Sequence, residues 1–151
     1  MDQRKRPNYN PKQIGERTEG KILSCLLDHD KMVLLPFGDN LRYDLVVEEE
    51  NGVFKRIQCK TGRLKNGAIT FQTCSSSYHR NGQRHSYYGQ IEYFGVYCPE
   101  NDRCYMVPVD DVGKRAATLR VDAPANNQEK HINWAENYEV PHHGSSTPLH
   151  L

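Results

Sequence analysis

Apolar positions set the first elements. Ile14, Thr18, Ile22, Cys25/Leu26 and His29 recur every three or four residues, the spacing of one helix face. Pro11 suits a first helical turn, so 12–29 read as one amphipathic helix, with Gly15 as a local cost. Beyond it the pattern changes to short runs of strand length at 32–35, 43–47, 53–61, 69–73, 91–97 and 104–109. Breakers separate them: Pro36-Phe37-Gly38-Asp39-Asn40, Asn51-Gly52, Asn66-Gly67 and Pro99-Glu100-Asn101-Asp102. Asp110 or Asp111 can cap a short helix through about Thr118, and 133–137 allow one more helical turn. Helix, strands and a closing helix predict an α/β or α+β domain around a mixed sheet.

The chain has 151 residues, enough for one domain, and only 36% are hydrophobic. No run approaches the roughly 18 apolar residues of a membrane span, which excludes an integral membrane protein. Residues 1–6 are charged and no apolar segment follows, so they do not read as a secretory signal. The expected organisation is a basic N-terminal arm at 1–11, a folded domain at 12–140 and a Pro/Gly/Ser-rich flexible tail at 141–151. The cysteines Cys25, Cys59, Cys74, Cys98 and Cys104 are odd in number and form no CxxC pair. That argues against a zinc site of ordinary spacing and against a disulfide framework, and for a reducing, intracellular setting.

Charge sharpens the picture. Lys and Arg total 20, Asp and Glu 19, so a uniformly basic, histone-like binder is excluded. The charges are segregated, however. Residues 51–91 hold no Asp or Glu but carry Lys55, Arg56, Lys60, Arg63, Lys65, Arg80 and Arg84, with Tyr78, Tyr87 and Tyr88 among them. Arg4, Lys5, Arg6, Lys12, Arg17 and Lys21 form a second basic group. Such a field reads either as a solvated surface or as one facing phosphates, where neutralisation releases counterions.

Asp44 lies in the apolar run Tyr43-Asp44-Leu45-Val46-Val47, where an unpaired carboxylate would cost several kcal/mol. Fourteen residues later comes Gln58-Cys59-Lys60. Positions two apart in a strand share a face, so Gln58 and Lys60 point together, and strand pairing can bring Asp44 beside them. A carboxylate, an amide oxygen and a lysine suit Mg²⁺ and phosphoryl chemistry. The plainer alternatives are a buried Asp44–Lys60 ion pair and an ordinary strand glutamine.

These residues resemble the PD-(D/E)XK nuclease superfamily, with Gln58 at the usual acid position. Gly15-Glu16-Arg17-Thr18-Glu19, Pro36-Phe37-Gly38-Asp39-Asn40, Gln58-Cys59-Lys60-Thr61 and Tyr93-Phe94-Gly95-Val96-Tyr97-Cys98-Pro99 are similar to its group I intron-associated homing endonuclease branch. The resemblance implies a restriction-endonuclease-like α/β core, a central mixed sheet flanked by helices. It implies a Mg²⁺-dependent, site-specific endonuclease, with Mn²⁺ as a substitute, that hydrolyses double-stranded DNA through metal-activated water. Asp44, Gln58, the Cys59 carbonyl and Glu19 would hold the metal, and Lys60 would act on the attacking water or stabilise the phosphorane. Glu16 is the rival to Glu19. A homo-oligomer, dimer or tetramer, is implied, since one site cuts one strand. A Holliday-junction resolvase and a catalytically silent DNA-binding protein of the same fold are the alternatives. Two departures stand out: Gln58 removes a negative charge, and Asp28-His29-Asp30-Lys31 lacks the glycine expected between helix and strand.

For DNA reading, Asn81-Gly82 signals a two-residue hairpin, flanked by His79, Arg80, Gln83, Arg84 and His85. A two-stranded ribbon fits the major groove, with Arg80, Gln83 and Arg84 as base-edge candidates. Arg4, Lys5 and Arg6 would form an arm along the backbone or minor groove, and Lys55, Arg56, Arg63 and Lys65 would meet phosphates near the site.

Overall fold

A computed structural model describes residues 7–76, 83–127, 130–142 and 144–151. The first helix, α1 (Pro11–Asp28), opens on a capping box: Asn10 accepts from the Gln13 amide while the Gln13 side chain accepts from the Asn10 amide. Thr18, Ile22 and Leu26, four residues apart, form its buried stripe. At its end Asp30 takes a left-handed backbone (φ 56°), a conformation aspartate tolerates. The turn into β1 (Met32–Leu34) is therefore made without the expected glycine.

β2 (Leu45–Glu48) and β3 (Phe54–Thr61) follow, then β4 (Arg63–Lys65), β5 (Ala68–Gln72), β6 (Cys74–Ser76), β7 (Arg84–Ser86), β8 (Tyr93–Cys98), β9 (Arg103–Pro108) and β10 (Ala116–Arg120). The main sheet has five strands in the order β1-β2-β3-β8-β9, antiparallel throughout except for the parallel pair β3–β8. The chain leaves the sheet after β3 and returns at β8. In between it builds β4 and β5, joined through Asn66 and Gly67, both at positive φ as a type I′ hairpin turn requires. It then forms the antiparallel ribbon β6–β7. The expected Asn81-Gly82 hairpin turn and Arg80 lie outside the described residues, as do Arg4, Lys5 and Arg6.

The sheet separates two cores. On one face α1 packs through Ile22 and Leu26 onto Leu45, Val47, Ile57 and Met106. On the other, Phe94, Val96, Tyr105 and Val107 meet Ile69 and Phe71 of β5 and Ala117 and Leu119 of β10. Phe94 anchors this second core, with Phe71 and Tyr87 edge-on to its ring at 5.8 and 5.7 Å. Leu149 and Leu151 lie half-buried against the helix-side core.

The short helix expected from Asp110 through Thr118 is not formed. A single 3-10 turn, Val109–Asp111, is followed by strand β10, which pairs antiparallel with β5 from Ala116↔Gln72 to Arg120↔Ala68. Ala117 and Leu119 are buried while Ala116 and Thr118 are exposed, a period of two that the capping aspartates masked. The strand expected at 43–47 begins only at Leu45, which leaves Asp44 at its threshold. The helical turn at 133–137 is present as the 3-10 segment Ala135–Asn137.

Two glycines mark close approaches. A Cβ at Gly62, where the chain turns from β3 into β4, would lie 2.7 Å from Ile69 Cγ2. A Cβ at Gly95 would lie 3.0 Å from Ile22 Cγ2 and 3.1 Å from Ile57 Cγ2. Gly95 thus lets α1 seat on the sheet beside its ladder partner Cys59. Ile22 and Ile57 are fully buried and cannot yield, so Gly95→Ala should lose about 1–3 kcal/mol in urea unfolding, through overpacking.

Candidate active site

The site forms where β2 falls away from β3. The last registered pair is Leu45↔Ile57, and one further bond runs from the Asp44 amide to the Ile57 carbonyl at 2.9 Å. Beyond it the Cys59 N–H has lost its β2 backbone partner, and Asp44 Oδ2 accepts it at 2.9 Å. Extending the register sets Asp44 opposite Gln58, on the face that also carries Lys60. Ile57 and Cys59 face the helix-side core instead.

α1 reaches the same strand end from the other face. Thr18 and Thr61 share a 2.6 Å hydroxyl hydrogen bond, which fixes the helix at the end of β3 and sets Glu19 beside it. Glu19 is half-buried whereas Glu16 is exposed. Burial raises the pKa of Glu19, and the charges of Asp44 and Glu16 raise it further. Asp44 is also raised by burial, opposed by the Cys59 N–H and the Lys60 charge. The Cys59 thiol is pushed well up by burial, with Asp44 and Glu19 adding to it, so the thiolate is suppressed. The Gln58 amide nitrogen sits 3.5 Å from the Cys59 carbonyl, so that oxygen has at most a weak partner.

Lys60 extends across the face of the Tyr87 ring, its Nζ 4.9 Å from the centroid, and donates to the Cys74 carbonyl at 3.3 Å. Burial lowers its pKa; the Arg42 charge lowers it further, while Cys74 and Asp44 oppose the shift. Arg42 is the functional neighbour that sequence reasoning missed. Its guanidinium lies 3.9 Å from the Tyr87 centroid, donates to Ser75 Oγ and Gln90 Oε1, and bonds the His85 and Ser86 carbonyls. It thereby clamps the stem of the β6–β7 ribbon over the site. Arg42 stands two positions before Asp44, so the same alternation that grouped Gln58 with Lys60 could have flagged it. It escaped because it precedes the acid-free stretch.

The remaining basic candidates are dispersed. Arg63 is exposed and lines a cleft of about 620 Å³ beyond Lys60, together with Tyr9, Arg17, Thr18, Thr61 and Tyr97. Arg17 stacks on Tyr9 at 4.4 Å. Lys65, Gln83 and Arg84 are exposed on β4 and along the ribbon. Lys55 lies at the far end of β3, half-buried, in a hollow shared with Lys31 and Glu49. Arg56 is held by Glu92 through an ion pair with Nη2–Oε1 2.8 Å and Nε–Oε2 3.0 Å.

As a whole, the strand end offers two carboxylates with raised pKa values, an amide, a backbone carbonyl and a lysine with a lowered pKa. Among the described residues no three His, Cys, Asp or Glu side chains cluster as a metal site. No helix of the described residues is long and apolar enough to cross a membrane.

A solved bacterial homing endonuclease, I-Ssp6803I, superposes with a TM-score of 0.69 over 87% of this chain and 89% of its own, at 22% identity, which shows a shared fold. No curated protein matches the chain. A family model described as PD-(D/E)XK endonuclease matches residues 9–141, a span that takes in α1, the entire main sheet and Asp44, Gln58 and Lys60. By that match the chain belongs to the PD-(D/E)XK endonuclease family.

Proposed function

We propose that the protein is a divalent-metal-dependent, site-specific endonuclease of homing type that hydrolyses double-stranded DNA as a homo-oligomer. The observation that carries this reading is the convergence of Glu19, Asp44, Gln58, the Cys59 carbonyl and Lys60 on one strand end. Burial penalises both carboxylates, and the charge of Asp44 adds to the strain on Glu19, an arrangement that a cation between them would relieve. The donors are hard oxygens, which fit Mg²⁺, with Mn²⁺ as a substitute. Such an ion would supply Lewis acidity toward the scissile phosphate. Gln58 would contribute an oxygen without a charge, so the ion would be held more weakly than by a third carboxylate.

The protein's own groups do the rest. Lys60 Nζ, fixed between the Tyr87 ring and the Cys74 carbonyl, holds or takes a proton beside the reacting phosphorus. Arg42 keeps the ribbon stem in place, so that Gln83 and Arg84 project on exposed positions for groove contact. Arg63 and Arg17 add positive charge where the cleft continues past the site.

Oligomerisation has its own support. β1 is an edge strand, and beside it Met32, Leu34, Leu35, Phe37 and Leu41 are exposed, Phe37 completely. An unpaired edge with an apolar fringe is a surface that a second copy covers. That loop leads directly into Asp44, so assembly and the site are neighbours in the chain.

Asp44→Asn and Lys60→Ala should each lower cleavage of target duplex by about 10²–10⁴-fold while DNA binding persists. Cleavage confined to a four-way junction would overturn the homing assignment, and wild-type binding without Mg²⁺-dependent cleavage would favour a silent DNA-binding protein. Folded Asp44 holds its proton more tightly than the unfolded chain does. Stability therefore falls as pH rises from the ordinary aspartate range through the raised folded value. Asp44→Asn removes that penalty, so the inactive variant should melt no lower than wild type at neutral pH.

The pH–rate profile should rise to a midpoint below the ordinary lysine value of about 10.4. Arg42→Gln should move that midpoint upward, because the guanidinium is one of the charges that depress Lys60; an unmoved midpoint would separate Lys60 from the proton transfer. Phe37→Asp should reduce the particle mass measured by light scattering and convert double-strand cuts into nicks.

A further inference from the structure

We propose that Cys25 and Cys104 form a reversible disulfide that staples α1 to β9. The two Sγ atoms lie 2.7 Å apart, closer than an ordinary non-bonded sulfur contact and not far beyond the roughly 2.05 Å of a covalent S–S bond. They lie 79 residues apart in the chain and meet on the helix side of the sheet, where Cys104 belongs to the core and Cys25 packs on its margin.

The pair is asymmetric in a way that suits exchange. Cys25 is half-exposed, and a cavity of about 110 Å³ lined by Cys25, Cys104, Asp28, Asp102 and Arg103 opens beside it. Cys104 is buried, and among the described residues its sulfur meets the Cys25 sulfur and a distant Lys21 carbonyl, 3.9 Å away. The contact with Cys104 lowers the Cys25 pKa, aided by Lys21 and opposed by burial, Asp28 and Asp102. The same contact, with burial, raises that of Cys104. Cys25, the half-exposed sulfur beside the cavity, is the one a small disulfide reaches first, so it is the attacking thiolate and buried Cys104 the resolving thiol.

The oxidant is a low-molecular-weight disulfide. The Cys25 thiolate attacks one of its sulfurs, forming a mixed disulfide and releasing one thiolate. Cys104 loses its proton and attacks Cys25 Sγ, forming the internal bond and expelling the second thiolate. Two protein thiols are oxidised and one small disulfide is reduced to two thiols. Cys59 stands apart from this chemistry, since burial, Asp44 and Glu19 suppress its thiolate. The staple closes a long loop, from the last turn of α1 to the start of β9, so it restricts the unfolded chain strongly.

Incubation of the purified protein with oxidised glutathione tests the proposal. Titratable thiols under denaturing conditions should fall from five to three, and mass spectrometry should show loss of two hydrogen atoms with the Cys25 and Cys104 peptides joined. The oxidised protein should melt about 10 °C higher, and a dithiol reductant should reverse the shift. Cys25→Ser should retain all its remaining thiols and show no shift. This variant sits at the half-exposed position, and circular dichroism checks its fold. Retention of all five thiols, a glutathione adduct that persists on Cys25, or a link through another cysteine would each overturn the proposal.

Discussion

The hydrogen bond from the Cys59 amide to Asp44 Oδ2 is the constraint on which the site is built. A sheet cannot leave an inner strand's N–H unpaired in a partly buried setting, and here the backbone of β2 has stopped one residue short. A side-chain carboxylate takes over where the ladder ends. The same act closes the hydrogen-bond account of β3 and brings a charged oxygen to a strand terminus, next to Gln58 and Lys60. Structural satisfaction and chemical potential are the same contact.

Two packing devices hold this arrangement from opposite faces. On the helix side, absence of a side chain at Gly95 lets Ile22 settle against Ile57, and the Thr18–Thr61 hydroxyl pair fixes the axial position of α1, hence of Glu19. On the other side Tyr87 stands edge-on to Phe94 and offers its face to two cations, Lys60 and Arg42. Like charges near one ring repel, which is one reason the Lys60 ammonium is disfavoured. The ring, rather than an opposing carboxylate alone, keeps the amine in place.

Much of this was legible in the chain. The 3.6-residue pattern gave α1, strand-length apolar runs gave the main sheet, and one acid stranded among apolar residues, followed at a fixed distance by Gln58 and Lys60, pointed to the strand end where these residues meet. What escaped depends on partners distant in sequence. The run Ala116–Arg120 carries too little apolar signal to outweigh two capping aspartates; only its ladder with β5 makes it a strand. The ion pair of Arg56 with Glu92 was not legible, because the stretch around Arg56 lacks acids and Glu92 lies just beyond it. For Arg42 the only local mark was its place two residues before Asp44, since its partners Ser75, His85, Ser86 and Gln90 belong to a segment that returns to it only in three dimensions. Asp30 shows the opposite case, a local rule satisfied by another residue type.

The parallel pairing of β3 with β8 carries a kinetic consequence. Ile57 meets Tyr93 only after the whole excursion through β4–β7 has been synthesised and folded back, so the ladder that completes β3 is a late, non-local event. A chain emerging from the ribosome can form α1 and the β1–β2–β3 meander by local contacts well before that closure. Until β8 pairs with it, one edge of β3 is open, and the strand end is complete only with that non-local pairing. The excursion, with its ribbon, must therefore fold back before the strand end beside Asp44 and Lys60 is complete.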